Sequence, residues 1–317
     1  NIGAAPPIST EFEELPTIET LNAMKLDAGA FGNHEHDRNL AHLQKVIGAS
    51  DFQWVVSNYN PDSLDALKSG TKQAKSFTII ERGGVKIGVV GANTPETIEQ
   101  VFPGNLDYTD ATGAKKTITI DPGVTGINQA IVDAKAAGAE IVIALIHQGW
   151  QENSDGGAKG VLNTMAAQIK GAAAIYGGHS HQTFATVIPG TTRVAPVVIG
   201  QTRNSGVEYT RTQICIKNGK VVGQSIEHVL KSASTTINTG VLSTVTTQDV
   251  AAAAMVKKYK DQLTVRLDIK IGQVSGVFPR GGSPAVERSG ETPMGNYIAD
   301  LMRAKYKTDF AIQNGGG

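Results

Sequence analysis

The chain has 317 residues, its 29 Lys and Arg residues balance 29 Asp and Glu residues, and 40% of its residues are hydrophobic. A net charge of zero argues against broad binding to nucleic acid or to anionic membranes, because both need a basic face. The single cysteine, Cys215, excludes an internal disulfide and a cysteine-based zinc site, and the longest apolar run is far shorter than the ~20 residues of a membrane span.

Short helices and strands alternate over the first third of the chain. Leu40, Leu43 and Ile47 recur at the i, i+3, i+7 spacing of a helix that buries one face. Gly83-Gly84, between two β-rich runs, predicts a hairpin turn. The predicted elements are helices over Thr17–Met24 and Glu35–Ile47, and strands over Asp27–Phe31, Phe52–Val56, Phe77–Ile80 and Val85–Gly91.

Helices and apolar strands alternate over the middle of the chain. Strands separated by helices of this length indicate βαβ crossovers and a largely buried sheet. The predicted elements are helices over residues 123–138 and Val161–Lys170, each followed by a strand, Ile141–Ile146 and Ala172–Tyr176. After Val187 the pattern changes to short β segments with polar turns, over Val197–Ile199, Tyr209–Ile216 and Val221–Val229.

A Ser- and Thr-rich segment, residues 231–249, predicts a linker. Asp249 can then cap a helix that runs through Gln262. A new unit begins near Thr264, and its roughly 55 residues are few for an independent core. We therefore expect a first domain over residues 1–230, a linker and connecting helix over 231–263, and the start of a second domain over 264–317.

Five of the seven histidines fall in three short segments, each directly after a predicted strand: residues 32–37 (GNHEHD), 146–149 (IHQG) and 177–181 (GGHSH). Loops at the carboxyl ends of strands converge on one edge of an α/β sheet, so nitrogen and oxygen ligands from three such loops suit a divalent metal. A single histidine such as His147 is more often structural, but the conjunction of three loops favours a metal site. His42 and His228 lack this context, and we expect them to be surface or structural residues.

The order of these motifs resembles the calcineurin-like metallophosphoesterases: Gly-Asn-His-Glu-x-Asp, a strand ending in His with Gly two residues later, and Gly-Gly-His-Ser-His. Residues 291–300 (ETPMGNYIAD) and 309–317 (DFAIQNGGG) resemble the start of the C-terminal domain of bacterial 5'-nucleotidases, a group that includes UDP-sugar hydrolases and 2',3'-cyclic-nucleotide phosphodiesterases. The resemblance implies an α/β fold: a four-layer α/β/β/α metallophosphoesterase sandwich, a helical linker and a partial α+β C-terminal domain.

The resemblance also implies two divalent metal ions in the complete protein, Mn²⁺, Zn²⁺, Co²⁺ or Fe²⁺, sharing a hydroxide that attacks phosphorus. Four positions match metal ligands: Asn33, His147 and His179 for the second metal, and His181 for the first. The family's other ligands lie in an Asp-x-His strand and a Gly-Asp loop, and neither motif occurs in this sequence. We therefore expect this polypeptide alone to hold one metal weakly and to be inactive.

His34 matches the catalytic histidine of the family, and Asp37 matches the carboxylate that orients and charges it. An imidazole beside a carboxylate can stabilise phosphoryl charge or protonate a departing oxygen. Arg288 and Asn314 match substrate-binding residues. His36 stands where many relatives have Phe, and we expect it to lie behind the metal ligands or on the surface.

These matches imply hydrolysis of nucleoside 5'-monophosphates to nucleoside and phosphate by a secreted, periplasmic or cell-surface enzyme. Two alternatives change only the substrate: a 2',3'-cyclic-nucleotide phosphodiesterase/3'-nucleotidase, or a UDP-sugar hydrolase. An alternative of another class is a non-catalytic fragment that binds nucleotide or metal without turnover. The expected partner is a nucleotide or a nucleotide-derived small molecule and not a nucleic-acid polymer.

Overall fold

The computed structural model of the chain describes residues 2–152, 158–188, 196–230, 249–270, 272–277, 279 and 290–313. The chain divides into two compact units, Asn1–Val265 and Arg266–Gly317. Within the described residues, no helix combines the length and the apolar character that crossing a membrane would require.

Short helices alternate with strands through most of the described residues, and the last of the helices belongs to the second unit. The helices are α1 (Pro7–Thr10), α2 (Leu15–Ala23), α3 (Leu40–Ala49), α4 (Pro61–Leu64), α5 (Thr97–Gln100), α6 (Val124–Ala136), α7 (Val161–Gln168), α8 (Val250–Leu267) and α9 (Pro293–Tyr306), with a 3₁₀ turn over Asn33–His36. The strands are β1 (Ala28–Ala30), β2 (Gln53–Val55), β3 (Lys68–Ser69), β4 (Lys72–Gln73), β5 (Phe77–Arg82), β6 (Val85–Ala92), β7 (Asp107–Thr109), β8 (Lys115–Thr117), β9 (Ile141–Ile146), β10 (Gln151–Glu152), β11 (Ala158–Lys159), β12 (Ala174–Tyr176), β13 (Phe184–Ile188), β14 (Val197–Gln201), β15 (Glu208–Lys217) and β16 (Lys220–Leu230).

The first unit is built on a six-stranded sheet in the order β13-β14-β12-β9-β6-β5. Strands β6, β9, β12 and β14 run parallel, and β5 and β13 are antiparallel strands at the two edges. The parallel centre confirms the crossover connections that the alternation of helices and strands predicted. Gly83 and Gly84 join β5 to β6 with φ of 57° and 79°, the left-handed conformation that a two-residue hairpin turn requires.

The two faces of this sheet are covered by different layers. A Cβ added to Gly88 of β6 would meet Ala134 and Ala139 at 3.1 Å, so that face packs against helix α6. Successive strand residues alternate between faces, and a Cβ at Gly91 would instead meet Val55 of β2. The small parallel sheet β1–β2 therefore lies on the opposite side. The layer order is α3, sheet β1–β2, the six-stranded sheet, and helices α6 and α7, which is the four-layer sandwich implied by the resemblance.

Two apolar cores fill the spaces between these layers. In one, Ile131 of α6 and Leu162 of α7 pack against the six-stranded sheet. The other contains Leu43 of α3 and Trp54 of β2, and Phe31 stacks on Trp54 with a ring-centroid distance of 4.9 Å. Full burial of side chains of this size stabilises the fold by about 2 kcal/mol each.

Helix α3 corrects the prediction of one helix over residues 35–47. The chain first makes the 3₁₀ turn, and α3 begins only at Leu40. The cause is a side-chain cap: Asn39 accepts a hydrogen bond from the backbone N–H of His42 at 3.1 Å, which starts a new helix there. The residues just after β1 are thus held in a tight turn instead of on a long helix.

Helix α8 extends beyond its predicted end at Gln262. Asp249 caps its first turn as predicted, because the carboxylate accepts a hydrogen bond from the Ala252 amide at 2.8 Å. Tyr259 is buried and donates a hydrogen bond from its hydroxyl to Glu19 of α2 at 2.6 Å. This contact attaches α8 to the first unit.

The described part of the second unit contains helix α9. Thr292 caps its start, since the hydroxyl accepts a hydrogen bond from the Gly295 amide at 3.1 Å, and Lys307 ends it with a φ of 54°. Residues 231–248 of the predicted linker lie outside the described residues. The domain boundaries at residues 230 and 263 therefore remain predictions.

Candidate functional site

Three of the four residues matched to metal ligands meet at one edge of the first unit. Asn33 lies in the 3₁₀ turn after β1, His147 directly follows β9, and His179 lies three residues after β12. Because β9 and β12 are parallel neighbours, their carboxyl ends open onto the same edge. The sequence prediction that separate strand-end loops would converge is therefore confirmed for these residues.

Their polar atoms are close enough to share one ligand. The Oδ1 atom of Asn33 lies 2.9 Å from Nε2 of His147, and that nitrogen lies 3.2 Å from Nδ1 of His179. The two imidazole rings stand edge to face, with centroids 5.0 Å apart and planes at 69°. One amide oxygen and two imidazole nitrogens converging in this way form a donor set suited to a borderline divalent metal.

His147 is held in the neutral form that binds metals. Burial is the largest cause that lowers the pKa of His147 to about 2, and charge on the nearby side chains of His179, His34 and His181 contributes to the same shift. A neutral imidazole carries an unprotonated nitrogen, which is the state a metal ligand needs.

The Gly-Gly-His-Ser-His loop has an unusual backbone. His179 and His181 have φ of 70° and 57°, in the left-handed region that non-glycine residues rarely occupy. Such a conformation costs of order 1 kcal/mol per residue and persists only where surrounding contacts impose it. His181 is exposed, at the outer end of this loop. The backbone strain therefore coincides with the two predicted ligands of this loop.

Two glycines allow the loops to approach one another. A Cβ at Gly32 would lie 2.7 Å from the His147 ring, and a Cβ at Gly149 would lie 2.5 Å from Ser180. Real Cβ atoms do not approach other atoms so closely, so any side chain at either position would displace its neighbour. The glycine before Asn33 is thus required by packing against a predicted ligand.

His34 and Asp37 form a hydrogen-bonded pair beside this group. Nδ1 of His34 lies 2.8 Å from Oδ2 of Asp37, and both side chains are about one-third exposed, at 36% and 37%. The hydrogen bond to Asp37 raises the pKa of His34, although partial burial opposes the shift. Asn105 holds the turn from behind, donating to the carbonyl oxygens of His36 at 3.0 Å and Asp37 at 2.9 Å.

Two buried side chains that the sequence analysis did not identify support the loops. Glu35 accepts hydrogen bonds from the amides of Gly32 at 2.5 Å and Ile2 at 2.6 Å. Gln201, at the end of β14, accepts from the Trp150 amide at 2.8 Å and donates to the hydroxyl of Ser180 at 2.8 Å. Gln201 therefore joins the loop after β9 to the loop after β12. A polar residue ending the apolar run Val197–Gly200 was the available signal.

His36 is a buried residue, so of the two expected positions, behind the metal ligands or on the surface, the structure excludes the surface. Its Nε2 lies 2.6 Å from the hydroxyl of Tyr59, which also accepts a hydrogen bond from Asn93 at 2.8 Å. Burial lowers the pKa of His36 to about 4, so this histidine is neutral at pH 7. His42 fits the expectation of a structural residue, because its Nε2 lies 2.8 Å from the buried carboxylate of Glu14.

The described residues contain no cluster of three or more His, Cys, Asp or Glu side chains placed to hold a metal ion. The convergent group instead combines Asn33 with His147 and His179, a donor set that includes an amide. Arg288 and Asn314, matched to substrate-binding residues, lie outside the described residues. Their roles remain predictions.

Comparison with known proteins gives related sequences and folds. Residues 67–191 match the family described as bacterial capsule synthesis protein PGA_cap. The chain is 26% identical over 329 residues to Endonuclease YhcR of Bacillus subtilis, covering 100% of this chain and 24% of that protein. It is also 26% identical over 342 residues to Protein UshA of Salmonella pullorum, covering 100% of this chain and 59% of that protein. The chain therefore spans about a quarter of the first of these curated relatives and about three-fifths of the second.

Solved structures with the same fold include a 5'-nucleotidase precursor from Thermus thermophilus, at a TM-score of 0.70 and 20% identity over 95% of this chain and 55% of that one. The calcineurin-like phosphoesterase YfkN from Bacillus subtilis gives a TM-score of 0.59 and 20% identity over 84% of this chain and 83% of that one. At these identities the similarity establishes the fold of the chain.

Proposed function

We propose that this chain, a relative of the 5'-nucleotidases with the calcineurin-like phosphoesterase fold, belongs to a divalent-metal-dependent enzyme that hydrolyses nucleoside 5'-monophosphates to nucleoside and phosphate. One observation carries the proposal: the donor atoms of Asn33, His147 and His179 converge beside the His34–Asp37 pair. Phosphate-ester hydrolysis needs both parts, a Lewis acid and a positioned proton donor.

The residues at the strand ends fit a divalent metal. Asn33, His147 and His179 would hold one ion, and His181 would contribute to a second, with Mn²⁺, Zn²⁺, Co²⁺ and Fe²⁺ all compatible with amide and imidazole ligands. When bound, divalent metal supplies the Lewis acidity that polarises phosphoryl oxygens and acidifies water. The neutral state of His147 favours binding, since no proton has to be displaced.

The role proposed for His34 is to move a proton. Asp37 accepts its hydrogen bond at Nδ1, which fixes the plane of the ring and favours the protonated imidazole. Nε2 of the charged ring can then stabilise the phosphoryl oxygens and protonate the departing ribose oxygen. A typical general acid of this kind accelerates a reaction by about 10²–10⁴-fold.

The substrate is proposed to be a nucleotide or a nucleotide-derived small molecule, with Arg288 and Asn314 contributing to its binding. Cyclic nucleotides and UDP-sugars are the alternative substrates, because the same hydrolytic chemistry at phosphorus applies to them and to nucleoside 5'-monophosphates. The sequence resemblance further suggests that the enzyme acts outside the cytoplasm, as a secreted, periplasmic or cell-surface protein.

The test is phosphate release by the whole protein from AMP, 2',3'-cyclic AMP and UDP-glucose with Mn²⁺ or Co²⁺ supplied. His34→Ala should lower turnover by about 10²–10⁴-fold, while metal content stays at the wild-type level. Asp51→Asn, which changes an exposed carboxylate before β2 at the opposite ends of the strands, is the control and should leave turnover unchanged. Binding of metal or nucleotide without any turnover would instead favour the non-catalytic alternative.

A further inference from the structure

The second ring nitrogen of His179 has a carboxylate partner. Nε2 of His179 lies 3.2 Å from Oε2 of Glu96. Glu96 lies in the loop that follows β6, and β6 is the parallel neighbour of β9 in the six-stranded sheet. A fourth strand-end loop therefore reaches the edge where Asn33, His147 and His179 meet, although none of its residues belongs to the motifs found in the sequence.

We propose that Glu96 is a positioning residue, which holds His179 in the tautomer and orientation required for metal binding. This inference rests on the proposed metal-dependent function. A neutral imidazole carries one proton, and the nitrogen without the proton is the one that can bind a metal. A carboxylate at Nε2 keeps the proton there, so that Nδ1, which lies 3.2 Å from His147, keeps its lone pair.

The carboxylate of Glu96 is itself held in place. Gln100 donates a hydrogen bond from Nε2 to the same Oε2 atom at 3.0 Å. The backbone N–H of Gln100 donates to the Glu96 carbonyl oxygen at 3.1 Å, so the two residues lie at opposite ends of the single helical turn that forms α5. The hydrogen bond from Gln100 therefore restricts rotation of the Glu96 side chain and keeps its carboxylate directed at the His179 ring.

The solvent exposure of Glu96 and His179 determines how much metal affinity the loss of Glu96 should cost. The side chain of Glu96 is 54% exposed and that of His179 is 23% exposed. Loss of a hydrogen-bonding partner of a metal-binding histidine typically weakens metal affinity by about 10–100-fold. Because water can replace an exposed carboxylate in part, we place the loss for Glu96 at the lower end, about tenfold.

The test is a titration of the whole protein with Co²⁺, followed by visible absorption. Glu96→Ala should raise the Co²⁺ dissociation constant about tenfold, and Glu96→Gln, which keeps an oxygen acceptor for the Nε2 proton, should recover part of the affinity. Glu99→Ala is the matched control, because Glu99 is an exposed carboxylate on the same short helix, and it should bind as wild type.

A second readout separates positioning from a general structural effect. The ¹⁵N chemical shifts of the His179 ring in the metal-free protein should indicate a proton on Nε2 in the wild type and a mixture of tautomers in Glu96→Ala. Equal Co²⁺ affinity and equal tautomers in both proteins would overturn the role of Glu96 while leaving the metal site intact. A wild-type protein that binds no Co²⁺ would overturn the proposed function, and the role of Glu96 with it.

Discussion

The buried imidazole of His36 should make the stability of the fold depend on pH. His36 is 1% exposed, and burial lowers the pKa of its imidazole from 6.5 to about 4. Between these values the unfolded chain binds a proton that the folded protein excludes, so the unfolded state gains stability as the pH falls. The effect is nearly absent above pH 6.5, costs about 2 kcal/mol at pH 5 and reaches about 3 kcal/mol at pH 4.

The substitution His36→Phe removes this titration. Phe retains an aromatic ring next to Phe31 and Tyr59. It leaves the Tyr59 hydroxyl without its 2.6 Å partner at His36, although that oxygen still accepts a hydrogen bond from Asn93 at 2.8 Å. The unmade hydrogen bond should destabilise the variant by about 1–3 kcal/mol at neutral pH.

The assay is urea unfolding at pH 7 and pH 5, followed by the fluorescence of the two tryptophans, Trp54 and Trp150, of which Trp54 belongs to the same apolar core as Tyr59. The difference in unfolding free energy between the wild type and His36→Phe should fall by about 2 kcal/mol at the lower pH. Tyr59→Phe is the control, because it breaks the same hydrogen bond but leaves His36 able to titrate, and it should keep the wild-type pH dependence. A difference between wild type and His36→Phe that is the same at both pH values would refute the reasoning.

Three further substitutions test the packing around the site and the connecting helix. Gly32→Ala places a methyl group 2.7 Å from the His147 ring, so the affinity for Co²⁺ should fall. The melting temperature should also fall, by an amount that corresponds to a loss of about 1–3 kcal/mol in the free energy of unfolding. An unchanged Co²⁺ affinity would show that the His147 ring can move without weakening metal binding. Tyr259→Phe removes the hydroxyl that donates to Glu19 at 2.6 Å, and urea denaturation should show that the free energy of unfolding falls by about 1 kcal/mol. An unchanged urea midpoint would contradict this prediction. Asp249→Ala removes the cap of α8 and should speed amide hydrogen exchange in the first turn of that helix, reflecting about 1 kcal/mol of local stability; exchange at the wild-type rate would show that the cap contributes nothing.

The elements that could be predicted from the sequence are those whose pattern is local. Ile141–Ile146 is a continuous apolar run after a helical segment, so it had to be a buried strand, and it is β9. Because His147 follows that run directly, its place at the strand end followed as well. In the same way, the loop that contains His179 and His181 was expected directly after an apolar strand, and it follows β12. Motif order and strand order were enough to anticipate the convergence of three of the four candidate ligands, Asn33, His147 and His179.

The features that could not be predicted depend on contacts between distant segments. His36 is buried because Tyr59, 23 residues further along the chain, supplies a partner for its ring, and no local pattern distinguishes it from the partly exposed histidine His34. Gln201 and Glu96 act on loops 51 and 83 residues away from them, respectively. Such side chains look like ordinary polar residues until the fold shows which backbone or ring they face.

The central claim is that the loops after β1, β9 and β12 form a metal-dependent phosphoesterase site. The most direct measurement is phosphate release from AMP by the whole protein, before and after removal of metal with a chelator, together with the metal content of each sample. We expect activity to disappear on chelation, to return when Mn²⁺ or Co²⁺ is added back, and to stay low in His147→Ala, which should also retain less metal. Full activity in the chelated, metal-free protein, or wild-type activity and metal content in His147→Ala, would contradict the account.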